Sequence, residues 1–506
     1  MRNRRRVSLA IAQKLFKYRY EILLFLIFFF ALAFRLYFVF QTPYFSDDTA
    51  YFTLRQIDHV RETGLPLLHD ELSYGGKDTI YLPLYSYIMA AFSFIPYGLK
   101  VVPAIFISCL VFIVYLIALK FTNDKFTSLV AALMSSFIPV VISSTLNNLS
   151  IFSLVIPLVA LMFYSFVNIR SKPYLYLFIV LSFVVPLLHP VAVFVALSLI
   201  IFYVLVLAEN IELNRLSKEA LVFSVFLTLL IEFLFFKSAF LFLGLRFMWQ
   251  NTPTDILANY FKDLNLIGVI FELGVIPFVL GILGFTIGFF RDKNIGLFLS
   301  LSGAFSALIL LSLKLVNFSV GLMFLGVILV IASPIAIFKF FKYLKITKFS
   351  RFDTWFKVLL VLIVLGTLVI PSFYDVQVTV NNTLSRDEFL ILDSIRSDTE
   401  PDATILSLFS EGHYITALGE RKNVMDSDFL SAPFVNTRYS DVSEIYTSVS
   451  EVKALQLLEK YDVDYIYFSP RAKEFYNVQN LTYTEDGKCF VEYRKAGEVY
   501  LYKVRC

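Results

Sequence analysis

The sequence predicts a polytopic α-helical membrane protein, with about eleven spans and the N-terminus inside, carrying a C-terminal extracytoplasmic α/β domain. Three observations lead there. Of its 506 residues 58% are hydrophobic, 56 of them Phe, and the mean hydropathy is +0.73, above the roughly half-apolar make-up of soluble domains. Apolar runs recur, many long enough to cross about 30 Å of hydrocarbon. After Pro371 the composition turns charged and mixes helical with strand-like patterns.

The spans are read at 21–41, 100–121, 126–144, 149–168, 174–189, 191–208, 219–237, 267–290, 295–313, 318–338 and 357–373. The pair 174–189 and 191–208 is split only by His189-Pro190 and reads equally as one bent unit. Residues 82–97 are apolar but short and are placed as a re-entrant or interfacial helix, with a twelfth span as the alternative. Met1–Arg6 is basic, but the apolar run that follows is too long for a signal h-region and lacks a small-residue cleavage site. The first span therefore reads as an uncleaved signal anchor.

Charge orients the chain, because cytoplasmic connections carry an excess of Lys and Arg. With the N-terminus inside, the inner connections hold Arg4, Arg5, Arg6, Lys120, Lys125, Arg170, Lys172, Arg215, Lys218, Arg291 and Lys293, and 339–357 adds a further basic cluster. The outer segments hold fewer cations, among them Arg55, Arg61, Lys77, Lys100, Arg246, Lys262 and Lys314. The expected domains are 1–374, a transmembrane bundle with long outer loops 42–99 and 238–266, and 375–506, a soluble extracytoplasmic α/β domain. In the latter, 386–398 and 450–460 read as helices, and 404–409, 422–425 and 465–468 as strands. A short helix follows Gly412, and 481–504 reads as a hairpin turning at Asp486-Gly487. Cys109 is a packing residue. Cys489 and Cys506 either pair, if that domain is extracytoplasmic, or remain two thiols.

The chemistry concentrates in the first outer loop, Tyr44–Pro83. Asp47 and Asp48 are adjacent carboxylates, whose repulsion raises a pKa and suits a general base or metal ligand. A plain cap of helix 49–62, by Ser46 or Asp47, explains the pair equally simply. That helix presents Tyr51, Arg55, Asp58, His59 and Glu62, with Arg55 spaced to pair with Asp58 or His59. His69-Asp70 and Tyr74-Gly75-Gly76 follow, the glycines serving a tight turn or a close backbone approach to a ligand. Arg35 lies inside the first span, where it either snorkels or meets an anion. Arg246 in the second loop and Lys314 and Asn317 at an outer span end suit a phosphate. Asn147-Asn148 offers amide oxygens to a metal or caps a helix. Glu232 and Glu272 fall within or near spans. Asn381 and Asn480 open Asn-X-Thr triplets. No Walker loop, dinucleotide fingerprint, Cys/His metal cluster or nucleophile elbow is present, and nothing points to nucleic acid.

On these residues the chain resembles the C-superfamily membrane glycosyltransferases. DDTAYFTLRQIDHVRETGLPLLHDELSYGG is most similar to the first loop of the archaeal oligosaccharyltransferase catalytic subunit, and resembles the protein O-mannosyltransferase group. SEGHYITALGERKNVMD resembles the segment around the oligosaccharyltransferase Trp-Trp-Asp-Tyr-Gly motif; Leu408, Phe409, Ser410, Glu411 and Gly412 stand at the motif positions and only the glycine matches. The resemblance implies transfer of a sugar or oligosaccharide from a polyprenyl-phosphate or -pyrophosphate carrier, on the outer face of the cell membrane, to a protein, lipid or glycan acceptor. It implies Asp48 or Asp47 as the catalytic carboxylate; beside it, Arg55, His59, Tyr74, Arg246, Lys314 and His413 are the candidate substrate-binding residues. It also implies a divalent metal, Mg or Mn, on Asp48 and Asn148, or none, since Thr-Leu-Asn-Asn-Leu-Ser replaces the second acidic motif. The alternatives are a non-catalytic scaffold of a cell-envelope complex built on the same fold, and a transporter or flippase. Ionisable residues clustered at outer span ends count against the last.

Overall fold

The computed structural model describes residues 18–259, 265–292, 294–485 and 487–506. The basic cluster Met1–Arg6, and Lys262, Lys293 and Asp486, lie outside the described residues. The chain forms two compact units: residues 1–41, 97–233 and 263–380, and residues 42–96, 234–262 and 381–506. Most of both loops expected to belong to the bundle thus falls in the same compact unit as the C-terminal residues.

The first unit is helical and the protein is integral to a membrane. Six helical stretches among the described residues are long and apolar enough to cross, including α1 (Arg19–Val39) and Phe318–Leu344. Two bent pairs and three shorter apolar helices, Phe152–Val167, Lys172–Leu188 and Ala192–Ala208, coincide with the remaining predicted spans. The stretch read as 267–290 is not straight. It breaks by 87° between Leu266–Leu273 and the helix that starts at Val275, because Gly274 adopts φ +84°, where an L side chain is strained. Residues 126–144 bend by 44° ahead of Pro139, whose ring cannot continue the preceding hydrogen-bond ladder. Arg35 is buried and donates from Nη1 to Thr145 Oγ1 at 2.9 Å, so it is held inside the unit by a hydroxyl and does not snorkel.

Helix Phe318–Leu344 organises this unit, buried along most of its length from Val320 to Ile337. Helix Val275–Ile287 lies so close to it that a Cβ on Gly281 would meet the Leu329 carbonyl oxygen and one on Gly284 the Ala332 carbonyl oxygen. Lipid gives no hydrophobic gain for helix pairing, so small residues that admit close approach take that role.

The second unit is α/β. From the first loop come α2 (Asp48–Thr63), the two-residue antiparallel strands β1 (His69–Asp70) and β2 (Lys77–Asp78), and the short helix Leu84–Phe92. The last has nine residues, about 13 Å at 1.5 Å per residue, and is too short to span. The C-terminal residues contribute β3 (Thr404–Leu406), β4 (Lys422–Asn423), β5 (Tyr465–Phe468), β6 (Phe490–Ala496) and β7 (Val499–Val504), in the sheet order β4-β3-β5-β7-β6. β3 pairs parallel with β4 and β5, and β7 pairs antiparallel with β5 and β6. Every residue of β3 and β5 is buried, which explains runs of apolar residues without alternation. The β6–β7 hairpin turns at Gly497-Glu498, between the paired Ala496 and Val499, with Gly497 at φ +55°. The expected turn at 486–487 therefore precedes the hairpin. Cys489 and Cys506 form a disulfide across its open end. Helices Val435–Thr447 and Pro470–Tyr476 were not anticipated; the second has only seven residues, and the first is largely polar, with Val435, Val442, Ile445 and Tyr446 as its buried residues.

Substituting Gly284→Val should force helix Val275–Ile287 from its neighbour and cost about 1–3 kcal/mol. Thermal unfolding of the detergent-solubilised protein checks this; an unchanged midpoint would mean that the close approach is not needed.

Candidate functional site

The site is built within the second unit by parallel strand pairing. β3 and β4 run side by side in the same direction, with Ile405 opposite Asn423. The segments that leave their C-terminal ends therefore emerge together, the usual location of ligand sites in α/β sheets. One carries Glu411, Gly412 and His413, the other Asp426, Ser427 and Asp428. Gly412 is what lets them meet, since a Cβ there would collide with the Met425 carbonyl oxygen and the Asp426 side chain.

Against this junction lies the start of α2. Asp47 is its N-cap and accepts from the Thr49 hydroxyl at 2.6 Å, so the capping explanation holds for this member of the pair. Asp48 turns inward and is 4% exposed. Its Oδ1 accepts the backbone N–H groups of His413 at 2.9 Å and Tyr414 at 3.2 Å, and Oδ2 accepts from the Ser427 hydroxyl at 3.3 Å. Tyr51, one turn along α2, packs edge-on against Tyr414 at 5.0 Å, and Phe52 lies 5.1 Å from the His413 ring. These contacts fix the helix that presents Asp48.

Beyond His413 sits a second buried carboxylate. His413 Nε2 lies 4.0 Å from Asp48 Oδ2 and 3.8 Å from Asp426 Oδ1, close for charge but too far for a hydrogen bond. Asp426 is held by Lys77 Nζ at 3.3 Å, the Ser73 hydroxyl at 2.5 Å, the Asn423 amide at 3.0 Å and the Asp428 N–H at 3.0 Å. Lys77 also reaches the Asp428 carboxylate at 3.0 Å.

These surroundings drive the two carboxyl pKa values apart. Burial, reinforced by Asp47, Asp426 and Glu411, pushes Asp48 well above the ordinary carboxylate range, against the His413 N–H. Burial acts on Asp426 in the same sense, but Lys77, His413 and the Ser73 and Asn423 hydrogen bonds outweigh it and hold Asp426 below that range. Burial lowers His413. In Lys77 the Asp426 and Asp428 charges overcome burial and raise the pKa. Asp426 thus keeps the negative charge, Lys77 the positive one, and Asp48 has the greater proton affinity. Two titratable groups driven apart in this way are what acid–base chemistry uses.

The other expected residues sit as follows. Arg55 does not pair with Asp58 or His59; it forms a bidentate bridge to Asp70 at 2.6 and 2.9 Å, while Asp58 pairs with Arg61 at 3.3 Å. His59 is half-buried on α2. Tyr74 is buried and donates its hydroxyl to the Asp426 carbonyl oxygen at 2.7 Å. Arg246 is exposed, in the short helix Gly244–Trp249 of the same unit. Lys314 and Asn148 belong to the first unit, Lys314 with φ +55°. Sequence reasoning did not single out Asp426, Ser427 or Lys77 for the site. Asp426 closes the segment resembling the oligosaccharyltransferase motif, and Lys77 directly follows Tyr-Gly-Gly, so position was the available signal.

The donor set of this site does not suit a divalent cation. The Asp426 oxygens are saturated by four donors, and the described residues contain no group of three or more His, Cys, Asp or Glu arranged to hold a metal ion.

No family model and no curated protein sequence matches the chain. Solved structures do. The apo oligosaccharyltransferase of Archaeoglobus fulgidus matches with a TM-score of 0.68 over 94% of this chain and 73% of its own, at 13% identity. The Archaeoglobus fulgidus enzyme in complex with an inhibitory peptide and a dolichol-phosphate matches at 0.67, covering 90% and 69%, at 14% identity. The form tethered to an acceptor peptide containing the NVT sequon matches at 0.65, covering 91% and 70%, at 14% identity. A further form was solved with Zn and sulfate, at 0.61 and 14% identity. The chain therefore has the archaeal oligosaccharyltransferase fold, at the sequence distance of a divergent chain.

Glu411 gives a pH test of this junction. It is fully buried, Oε2 accepts from Ser469 at 2.9 Å, and burial pushes its pKa up to about 7. A carboxyl whose folded pKa lies above its unfolded value, 4.5, binds more protons folded than unfolded, so its contribution falls as pH rises from about 4.5 to about 7. The loss is about 3 kcal/mol at 1.36 kcal/mol per unit. Glu411→Gln should remove this decline, so that the variant gains on wild type in thermal midpoint between pH 5 and pH 8. Parallel pH profiles would refute the assignment.

Proposed function

We propose that the protein is a membrane glycosyltransferase moving a sugar or oligosaccharide from a polyprenyl-phosphate or -pyrophosphate carrier to an acceptor, a polypeptide first among them, on the outer face of the cell membrane. The observation that carries this reading is the likeness, over 94% of the chain, to an oligosaccharyltransferase, whose other structures hold a dolichol-phosphate and an acceptor peptide. The placement of Asp48 supports it. The acceptor oxygen or nitrogen bonds to C1 of the sugar, the bond from C1 to the phosphate oxygen breaks, and the carrier phosphate leaves with the electron pair. The acceptor proton passes to Asp48, whose buried setting gives it the needed proton affinity. The acceptor reaches Oδ2 by displacing the Ser427 hydroxyl, the longest of the three bonds to this carboxylate. Exposed Arg246, in the same unit as Asp48, is proposed to take the donor phosphate, because Arg55 is committed to Asp70. Outward orientation rests on the Lys/Arg bias and on the Cys489–Cys506 disulfide, a bond that persists in oxidising compartments.

One observation favours a second reading, a non-catalytic scaffold on the same fold. Asp48 is 4% exposed and bonded through both oxygens, as a purely structural carboxylate would be.

Asp48→Asn separates the two. Purified protein, a polyprenyl-linked oligosaccharide and a labelled peptide should give transfer that falls on the order of 10²-fold or more in the variant. In the native host, the same variant at equal protein level should lose a glycan or accumulate lipid-linked sugar. Full complementation of a deletion phenotype by the variant, with no change in glycans, would establish the scaffold.

A further inference from the structure

Resting on the glycosyltransferase reading, we infer that Lys77 is the built-in cation of this site, and that the Asp48–His413–Asp426 cluster works without a divalent metal.

Donor occupancy is the first argument. A carboxylate offers about four lone-pair sites. Asp426 spends them on Asp428 N–H and Lys77 at Oδ1 and on Ser73 and Asn423 at Oδ2. A metal would have to take one of these from a donor that is itself buried, and leaving a buried donor unmet costs about 1–3 kcal/mol. Asp48 spends Oδ1 on two backbone N–H groups and part of Oδ2 on Ser427. That leaves one carboxylate position and His413 Nε2, fewer than the three or more protein ligands of an ordinary zinc site or the six or more oxygens of a calcium site.

Charge is the second argument. Lys77 is 4% exposed and lies 3.3 Å from Asp426 and 3.0 Å from Asp428. Its Nζ also donates to the Asp428 carbonyl oxygen at 2.5 Å and stands 4.6 Å from the centre of the Tyr74 ring. The ammonium is fixed from several sides and does not swing away. A dication between His413 and the two carboxylates would share Asp426 Oδ1 with this ammonium, and like charges at such range in a water-poor site repel strongly. Lys77 already supplies the positive charge that buried carboxylates require.

The test is metal binding first and transfer second. Full-length protein in detergent is stripped with EDTA, exposed to Mn²⁺, Mg²⁺ or Zn²⁺, desalted, and assayed for bound metal and thermal midpoint. No stoichiometric metal and no midpoint shift are expected, with transfer within about twofold with or without EDTA. One equivalent of Mn²⁺ or Zn²⁺ that disappears in Asp48→Asn or Asp426→Asn overturns the inference. Lys77→Met should gain Mn²⁺ binding, seen as a stabilising shift absent from wild type, whereas Lys77→Arg should not; if Lys77→Met fails to fold, the wild-type measurement still decides. A protein inactive under every metal condition refutes the glycosyltransferase reading, and the binding data then judge the cation separately.

Discussion

The structure of the second unit depends on a carboxylate at the start of α2 that accepts backbone N–H groups some 365 residues away in sequence. Asp48, Asp426 and Lys77 are buried polar groups; Asp48 and Lys77 find their hydrogen-bond partners in residues distant along the chain, and Asp426 relies on Lys77 and Ser73 of the first loop as well as on its near neighbours Asn423 and Asp428. Remove the contact between the first loop and the β3–β4 junction, and Lys77 loses its carboxylates, Asp426 its ammonium and Asp48 its N–H donors together. Burying unpaired charge is among the most costly things a fold can do, so this network dictates how the loop segment 42–96 is held.

The same burial supplies the chemistry. Asp48 and Asp426 face one imidazole yet are driven in opposite directions, because Asp426 has an ammonium and a ring of hydrogen-bond donors while Asp48 has neighbouring carboxylates and a few weaker donors. A site that must accept a proton needs one group in the first condition and one in the second. The parallel register of β3 and β4 sets the spacing, and Gly412 permits it.

Much of the fold was legible. Apolar length marks the spans, because only a helix satisfies its own backbone in hydrocarbon, and the runs around Thr404 and Tyr465 gave strands where strands are found. The break at Gly274 was not legible, since glycine within an apolar run is compatible with a straight helix. The hairpin turn was misplaced because Asp486-Gly487 carries a local turn signal, and only the pairing of Ala496 with Val499 puts the turn at Gly497. Arg55 showed the limit of local spacing: Asp58 and His59 were the nearest partners in sequence, and Asp70 won by bidentate geometry.

The sequence by itself determined a helical membrane protein with a mixed α/β part, and it marked Asp47, Asp48 and His413 as residues of interest, because hydropathy and residue chemistry are local properties. Which aspartate caps a helix and which is buried, that His413 stands between Asp48 and Asp426, and that Lys77 neutralises the cluster were decided by the tertiary structure. Those facts depend on strand register and long-range packing, and a buried charge is defined by partners hundreds of residues away.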